Sequence, residues 1–292
     1  MSDDQVAAST ARHGALSAAA RWRLPFSRQS WRGPAGSWLG AGAGSSLDFQ
    51  DHRNYVPGDD PRHIHWQAYA RTGTFTMKLY RAEVAPMVDI AVDASASMTF
   101  TPAKARRTEE LLAFCVASAD RMTAPLRIHA VSGRKVSALA VEQVRAGRWR
   151  ERLPVPTNET GAMPSTLPWR PGALKVLISD LLFPGDPSPL LGQLTAGAGV
   201  GVVLAPTLAD EADLVWRGNA ELTDCETSAV RRQRVDESLA TRYREAYARH
   251  FSLWREACRK RGVLFARVPC EGALSSVLGG EASSAGAVEA LA

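Results

Sequence analysis

The sequence predicts an α/β fold in which a mainly parallel sheet carries helices on both faces, preceded by a small β-rich element. Short apolar runs typical of buried strands recur along the chain, at residues 87–92, 126–131, 174–179, 200–205 and 263–268. Helical segments separate several of these runs. Such alternation of strands and helices is typical of a parallel sheet that is covered on both faces.

The first helices are predicted from capping residues and length. Thr101 and Pro102 supply an N-cap and a first-turn proline for a helix that ends near residue 122. A second helix is predicted over residues 188–196, between two of the strands.

A long helix is predicted over about residues 228–261, preceded by a hairpin over 212–227 that turns at Arg217-Gly218-Asn219. Apolar residues recur along this helix at steps of four and three, which predicts that one face lies in the core. These residues are Leu239, Tyr243, Tyr247, Phe251, Trp254 and Cys258.

The composition divides the chain of 292 residues into four regions. They are a flexible N-terminal tail over 1–32, a β-rich segment over 33–85 with a strand at 74–80, a Rossmann-like domain over 86–270, and a flexible C-terminal tail over 271–292. The chain is long enough to bury a substantial core.

Charge and cysteine content exclude several classes of protein. The net charge of +5 is small for 35 basic and 30 acidic residues, so no nucleic-acid partner is expected. The 4 cysteines form no CxxC pair, which argues against a structural zinc site and against a disulfide scaffold. No stretch approaches the roughly 18 apolar residues of a membrane-spanning helix. We therefore expect a soluble protein of the cytoplasm.

Arginines and aromatic residues interleave near the N-terminus, and two interpretations of this segment are open. It is a linker that docks on the domain, or it contacts acidic lipid or RNA. Contact with lipid or RNA predicts an affinity that falls steeply with salt. The residues concerned are Arg21, Trp22, Arg23, Phe26, Arg28, Trp31 and Arg32.

One acidic residue and two hydroxyls follow the strand at 87–92. In open α/β sheets, ligands bind at the carboxyl ends of the strands, where Asp93, Ser95 and Ser97 fall. This set suits a hard cation such as Mg²⁺ but needs another acid, which Asp180 supplies at the end of a second buried strand. Taken alone, the triplet is also typical of an Asx or Ser turn that caps the next helix.

Two motifs in this order carry a resemblance to known families. Asp93-x-Ser95-x-Ser97 followed by Ile178-Ser179-Asp180 resembles the metal-ion-dependent adhesion site of von Willebrand factor A domains. Upstream, Tyr55-Val56-Pro57-Gly58-Asp59-Asp60-Pro61-Arg62-His63-Ile64-His65-Trp66 and Ala68-Tyr69-Ala70-Arg71-Thr72-Gly73 resemble the hallmark of the domain-of-unknown-function fifty-eight family. Its members are von Willebrand A-like proteins, often encoded beside MoxR-type AAA+ ATPases. The resemblance covers about residues 30–270.

The resemblance implies a von Willebrand A-like binding module in which a cation, Mg²⁺ or else Mn²⁺ or Ca²⁺, bridges to a partner protein. Ser95 and Ser97 would be direct ligands, Asp93 and Asp180 would act mostly through water, and an acidic residue of the partner would complete the shell. Such domains add a threonine from a loop that precedes a short helix. The Pro-rich segment 153–173 shows no obvious helix and offers Thr157, Thr160 and Thr166.

The function that these features favour is a non-enzymatic scaffold or adaptor. By resemblance, its partner is a MoxR-type AAA+ ATPase whose ATP-driven cycle it directs toward an unidentified client. The alternative is a metal-dependent hydrolase that uses Asp93, Asp180 and the pair His63 and His65. Such an enzyme needs a titratable base near the metal-bound water, and none is evident in residues 95–100.

The remaining residues of the upstream motif are expected to be structural. Asp59, Asp60 and Arg62 are predicted to pin the Pro57-Gly58 turn through charge-assisted hydrogen bonds. Arg53 or Arg71 would be their partner, and Trp66 and Tyr69 would be packing residues.

Overall fold

The computed structural model describes residues 3–28, 35–84, 86–153, 163–214 and 216–291. Its strands, in chain order, are β1 Trp22–Arg23, β2 Ala35–Asn54, β3 Thr76–Val84, β4 Val88–Asp93, β5 Leu126–Ser132, β6 Lys135–Leu139, β7 Leu174–Ile178, β8 Val200–Thr207, β9 Gly218–Thr223, β10 Val230–Val235, β11 Leu264–Pro269 and β12 Glu289–Ala290. Its helices are α1 Asp3–Ala19, α2 Trp66–Thr72, α3 Pro102–Arg121, α4 Val141–Arg145, α5 Ser188–Thr195, α6 Ala209–Ala212, α7 Glu237–Arg261, α8 Leu274–Val277 and α9 Glu281–Ser284. Within these described ranges, no helix combines the length and apolar character needed to cross a membrane.

Six strands form one sheet in the order β11-β8-β7-β4-β5-β6. Neighbours are parallel throughout, except that β6 runs antiparallel to β5 at one edge. The predicted α/β class with a mainly parallel sheet is therefore confirmed. Along the chain the strands are added outward from β4 on one side and outward from β7 on the other. The sheet therefore has a topological switch point between β4 and β7, where a crevice opens at the carboxyl ends of the strands.

Alternate residues of the central strands face two separate hydrophobic cores. Val176 and Ile178 of β7 belong to the core that includes α1 and α3, whereas Leu177 belongs to the core that includes α5 and α7. Every residue of β4 and of β7 is buried, because both faces of the sheet are covered. This burial fixes the ends of the two strands and hence the position of whatever follows them.

Helix α3 begins as its capping residues predict. The Thr101 hydroxyl oxygen accepts a hydrogen bond of 3.2 Å from the Lys104 N–H, and Pro102 occupies the first turn. This start places Lys104 in the first turn of the helix, directly after the serine-containing loop.

Helix α7 begins at Glu237, so the predicted start near residue 228 is wrong. Residues Val230–Val235 are instead extended and pair antiparallel with β9. The hairpin turns at residues 224–229, closed by a hydrogen bond of 2.9 Å from Asp224 N–H to Ala229 O, and not at Arg217-Gly218-Asn219. The arginines of this segment favour a helix, but pairing with β9 keeps it extended. Local helix propensity does not predict such an effect of a distant strand.

The described parts of both termini are packed, which corrects the flexible tails predicted over 1–32 and 271–292. Ala11, Ala15 and Ala18 line one face of α1 and are buried, in a helix that packs against α3. Residues 271–291 form α8, α9 and the strand β12, which pairs with β1. The prediction failed because a face made of alanines gives a weak hydrophobic signal although it permits close helix packing.

The N-terminal aromatic and basic residues dock on the domain, as the first of the two interpretations proposed. The Trp22 indole N–H donates to Ser275 O at 2.8 Å, Arg23 pairs with Glu289 at 2.6 Å, and Phe26 is fully buried. Trp31 and Arg32 lie outside the described residues.

The β-rich segment predicted over 33–85 is an antiparallel ribbon of β2 and β3, with α2 in the connection between them. We refer to residues 51–78 of this ribbon as the arm. Two residues of the arm, Ile64 and Met77, are buried, and they face each other across an isolated β-bridge.

Candidate functional site

A cleft of about 520 Å³ opens at the carboxyl ends of β4 and β7, at the switch point of the sheet. Asp93, Ser95, Ser97 and Asp180 all line it. A larger cleft of about 640 Å³ lies between α1, α3 and α4, and none of these four residues lines it. We take the smaller cleft as the candidate site because it gathers the predicted ligands where α/β sheets bind them.

The serine loop, residues 93–97, is held in place by Asp93. This buried carboxylate accepts a hydrogen bond of 2.9 Å from the Ser95 N–H and another of 2.7 Å from the Ser179 hydroxyl. The Ser95 and Ser97 hydroxyl oxygens lie 3.1 Å apart and both line the cleft. The Asx turn expected from the sequence is thus present, and it aligns the two hydroxyls as a pair.

Asp180 lies in the same cleft but is already paired with a cationic side chain. Its carboxylate accepts a hydrogen bond of 2.6 Å from the Lys104 ammonium, which also donates to Glu211 at 2.5 Å. The side chains of Lys104 and Asp180 are 1% and 3% exposed. Burial by itself lowers the pKa of Lys104, but the charges of Asp180 and Glu211 more than offset it and hold this pKa above its ordinary value.

A second carboxylate approaches the serine loop from the hairpin. Glu226 accepts hydrogen bonds from the backbone N–H of Ser97 at 2.7 Å and from that of Ala96 at 3.2 Å. Both of its carboxylate oxygens are therefore engaged by the loop, and the side chain lines the cleft.

The three threonines suggested as a further ligand do not come into the described cleft. Thr157 and Thr160 lie outside the described residues. Thr166 is exposed and is not among the residues that line the cleft, whereas Thr223 of β9 does line it.

His63 and His65, the bases of the alternative hydrolase, belong to the arm and do not line the cleft. His65 Nδ1 instead accepts a hydrogen bond of 2.9 Å from the Ala68 N–H and caps α2. The two imidazoles are thus placed apart from Asp93 and Asp180.

The other residues of the upstream motif build the arm. Pro57 and Gly58 form the turn, with Gly58 at a positive φ of 106°, and Asp59 N–H donates to Val56 O at 3.0 Å. The Arg53 guanidinium donates two hydrogen bonds of 2.6 and 2.7 Å to the Asp59 carboxylate. Of the two predicted partners of this carboxylate, it is therefore Arg53 that binds it.

Asp60 caps the short turn Pro61–His63 and pairs with Arg62 at 2.6 Å, whereas Arg71 is exposed in the last turn of α2. Trp66 and Tyr69 were predicted to be packing residues, but they are 58% and 37% exposed. They contact each other and Phe75 on the surface of the arm, because the thin ribbon offers no core in which to bury them.

The residues of the serine loop fit a hard cation. Octahedral ligands about 2.1 Å from Mg²⁺ lie about 3.0 Å from each other, which matches the spacing of the two serine hydroxyls. Burial, followed by the charge of Asp180, raises the pKa of Asp93 to about 6, so this carboxylate lacks a compensating positive charge. Asp93, Ser95 and Ser97 would hold such a cation. Asp180 would assist from its ion pair with Lys104.

No cluster of three or more His, Cys, Asp or Glu side chains arranged to hold a metal occurs in the described ranges. The candidate ligands of the serine loop are of a different type, because two of their three oxygens come from the hydroxyls of Ser95 and Ser97.

Lys104, Glu211 and Glu226 are three charged residues of the cleft that the sequence did not predict. Lys104 had a usable signal, because the Thr101 cap fixes it in the helical turn next to the serine loop. Glu211 and Glu226 come from α6 and from the hairpin turn, more than 100 residues beyond the loop, and no local pattern marks them.

Comparison with known proteins agrees with the resemblance seen in the arm. Residues 51–137 match the model of the family described as protein of unknown function DUF58. None of the curated proteins matches the chain significantly.

Two solved structures from Bacteroides are similar to the chain. One is conserved hypothetical protein BatB from Bacteroides thetaiotaomicron, 14% identical, with a TM-score of 0.37 over 68% of this chain and 98% of that chain. The other is an aerotolerance-related membrane protein from Bacteroides fragilis NCTC 9343 with multiple mutations to serines, 15% identical, with a TM-score of 0.37 over 66% of this chain and 96% of that chain.

Proposed function

We propose that this chain, whose residues 51–137 match the model of the DUF58 family, is a non-enzymatic adaptor with a von Willebrand A-like domain. In this proposal the cleft above the serine loop binds an acidic side chain of a partner protein through a divalent cation. The partner is a MoxR-type AAA+ ATPase, and the adaptor directs its ATP-driven cycle toward a client protein.

The observation that carries the proposal is the arrangement of the serine loop. Asp93 orients the loop, the hydroxyls of Ser95 and Ser97 lie together at the cleft, and a carboxylate from Glu226 already sits against its backbone N–H groups. The loop therefore offers N–H groups that can bind a carboxylate. The switch-point position of the cleft supports the same assignment.

The charge distribution in the cleft favours a cation-bridged contact. Asp93, Asp180, Glu211 and Glu226 line the cleft, whereas Lys104 is the one Lys or Arg side chain among its described lining residues. An acidic partner would be repelled by this excess of negative charge. A divalent cation removes the repulsion and gives the partner carboxylate a positive centre to bind.

The state of the cysteines supports the cytoplasm as the site of action. All four, Cys115, Cys225, Cys258 and Cys270, are free thiols, and three of them are buried. Reduced thiols suit a reducing compartment. Placement in the cytoplasm is part of the same proposal.

The proposal is tested by measuring binding of the full chain to a purified MoxR-type AAA+ ATPase, with Mg²⁺ and then with a chelator. We expect chelation and the Asp93→Ala substitution each to weaken binding at least tenfold. Asp60→Ala, which removes an exposed carboxylate of the arm, is the matched control and leaves binding unchanged. Binding that survives both chelation and Asp93→Ala would refute cation-bridged recognition.

A further inference from the structure

We propose that Glu226 is a built-in competitor for the serine loop, which the acidic side chain of a partner must displace before it binds. The inference rests on the proposed function, because it assumes that the serine loop is where the partner carboxylate binds. It adds a regulatory step: the hairpin of β9 and β10 closes the site, and release of its turn opens it.

The contact itself has the form of a bound ligand. Glu226 presents both carboxylate oxygens to consecutive N–H groups of the loop, at 2.7 Å for Ser97 and 3.2 Å for Ala96. The partners are 129 and 130 residues apart in the chain, so local folding does not dictate the contact. A carboxylate supplied by another protein could make the same two hydrogen bonds.

The turn that carries Glu226 is built independently of the loop. The Asp224 carboxylate accepts hydrogen bonds from the N–H groups of Glu226 and Thr227, at 2.8 and 2.9 Å. These bonds lower the pKa of Asp224. Ser228 completes the turn with a positive φ of 58°. The tip therefore keeps its shape whether or not it touches the serine loop.

The hairpin is lightly attached to the rest of the domain. Its two strands pair with each other and, within the part of the chain that the structure describes, with no other strand. Most of their residues are exposed or half-buried, with Val235 next to α7 the one that is buried. Movement of the tip therefore exposes little apolar surface, which keeps the cost of opening low.

Glu226 is held by the loop without a basic partner. Among the described residues no lysine or arginine forms an ion pair with it, in contrast to Asp180 and Glu211, which share Lys104. Displacement of Glu226 from the loop therefore leaves no buried cation without its partner, unlike the breaking of the ion pairs of Lys104.

The experiment uses acetate as a minimal carboxylate and follows the Ser97 amide by NMR in the full chain labelled with ¹⁵N-serine. Acetate is added at constant ionic strength, with chloride as the balancing anion, in the presence of Mg²⁺. Wild type is compared with Glu226→Ala and Glu226→Gln. Glu221→Ala is the matched control, because Glu221 lies on the same hairpin and pairs with Arg232 at the surface.

We expect acetate to shift the Ser97 amide resonance of Glu226→Ala with an apparent Kd at least tenfold lower than in wild type. A tenfold difference corresponds to a loop that Glu226 covers about nine-tenths of the time. Glu226→Gln, which loses the charge but keeps the shape, should also bind acetate more tightly than wild type. Glu221→Ala should behave like wild type.

Equal acetate affinity in wild type and Glu226→Ala would overturn the competitor role while leaving the carboxylate site intact. Absence of an acetate response at Ser97 in every variant would overturn the competitor role and also the carboxylate site of the proposed function. The two failures are thus distinguishable.

Discussion

The cleft and the arm contain ion pairs of the same length in opposite surroundings. Lys104 and Asp180 in the cleft lie 2.6 Å apart with side chains 1% and 3% exposed, whereas Arg62 and Asp60 in the arm lie 2.6 Å apart with side chains 87% and 36% exposed. Water screens the pair in the arm, so it shapes a turn and adds little stability. In the cleft, removal of Lys104 leaves Asp180 buried without its positive partner.

The two regions also differ in what their polar residues do. The arm carries the upstream hallmark, and its polar residues are engaged in building turns within the arm itself. The cleft carries the charges that are buried and close together, and there a change of ligand or protonation has large energetic consequences.

The largest difference between the two regions is expected when the basic residue of each ion pair is replaced. We expect Lys104→Met to lower the free energy of unfolding by about 4 kcal/mol, because Asp180 and Glu211 lose their shared positive charge. Arg62→Met should leave the midpoint of urea denaturation unchanged. Equal effects of the two substitutions in denaturation curves would show that burial does not distinguish the two ion pairs.

Aromatic residues extend the comparison to packing. Phe26→Ala should lower the free energy of unfolding by about 3 kcal/mol, because this fully buried ring belongs to the core that includes α1 and α3. Trp66→Ala in the arm removes a ring that is 58% exposed, and we expect no loss of thermal stability. Thermal denaturation of both variants checks this. A larger loss for Trp66→Ala than for Phe26→Ala would show that the arm holds a core of its own.

The contributions of Asp93 and Asp60 to stability should change with pH in opposite directions. The pKa of Asp93 is raised from 3.8 to about 6, chiefly by burial, so the folded state resists ionisation and stability falls as the pH rises from about 4 to 6. At about 1.36 kcal/mol per pKa unit, this loss is roughly 3 kcal/mol in the absence of a cation. Asp93→Asn should remove it.

The pKa of Asp60 is lowered to about 2, first by its hydrogen bond from the Arg62 side chain. Its contribution to stability is therefore present above pH 4 and is lost as the pH falls toward 2. Asp60→Asn should change the stability profile only in that acid range. Denaturation midpoints measured from pH 3 to pH 7 test both statements, and a steeper profile for Asp93→Asn than for wild type between pH 4 and 6 would contradict the first.

The sheet and the serine loop could be predicted from the sequence because each has a local cause. Buried strands show as apolar runs, Thr101 marks the start of α3, and the carboxyl ends of parallel strands meet at one edge, so Asp93 and Asp180 were placed in one cleft from the residues alone. Ordering of the termini and the β9–β10 hairpin could not be predicted in this way. They depend on pairing with distant partners, as when β1 joins β12 across more than 260 residues.

The same reason explains which site residues were missed. Lys104 belongs to the helix after the loop, but its role depends on Asp180 and Glu211, which tertiary folding brings to it. Glu226 reaches the loop through a hairpin whose position was misjudged. Motif spacing therefore located Asp93, Ser95, Ser97 and Asp180 at one cleft, and it missed the charged residues that tertiary folding adds to them.

The proposed binding of a divalent cation by the serine loop is measured directly by calorimetric titration of the full chain with Mn²⁺. We predict one bound ion in wild type, at least tenfold weaker binding in Ser97→Ala, and unchanged binding in Ser252→Ala, a matched substitution at an exposed position of α7. Binding of equal strength in wild type and Ser97→Ala, or no binding in wild type, would contradict it.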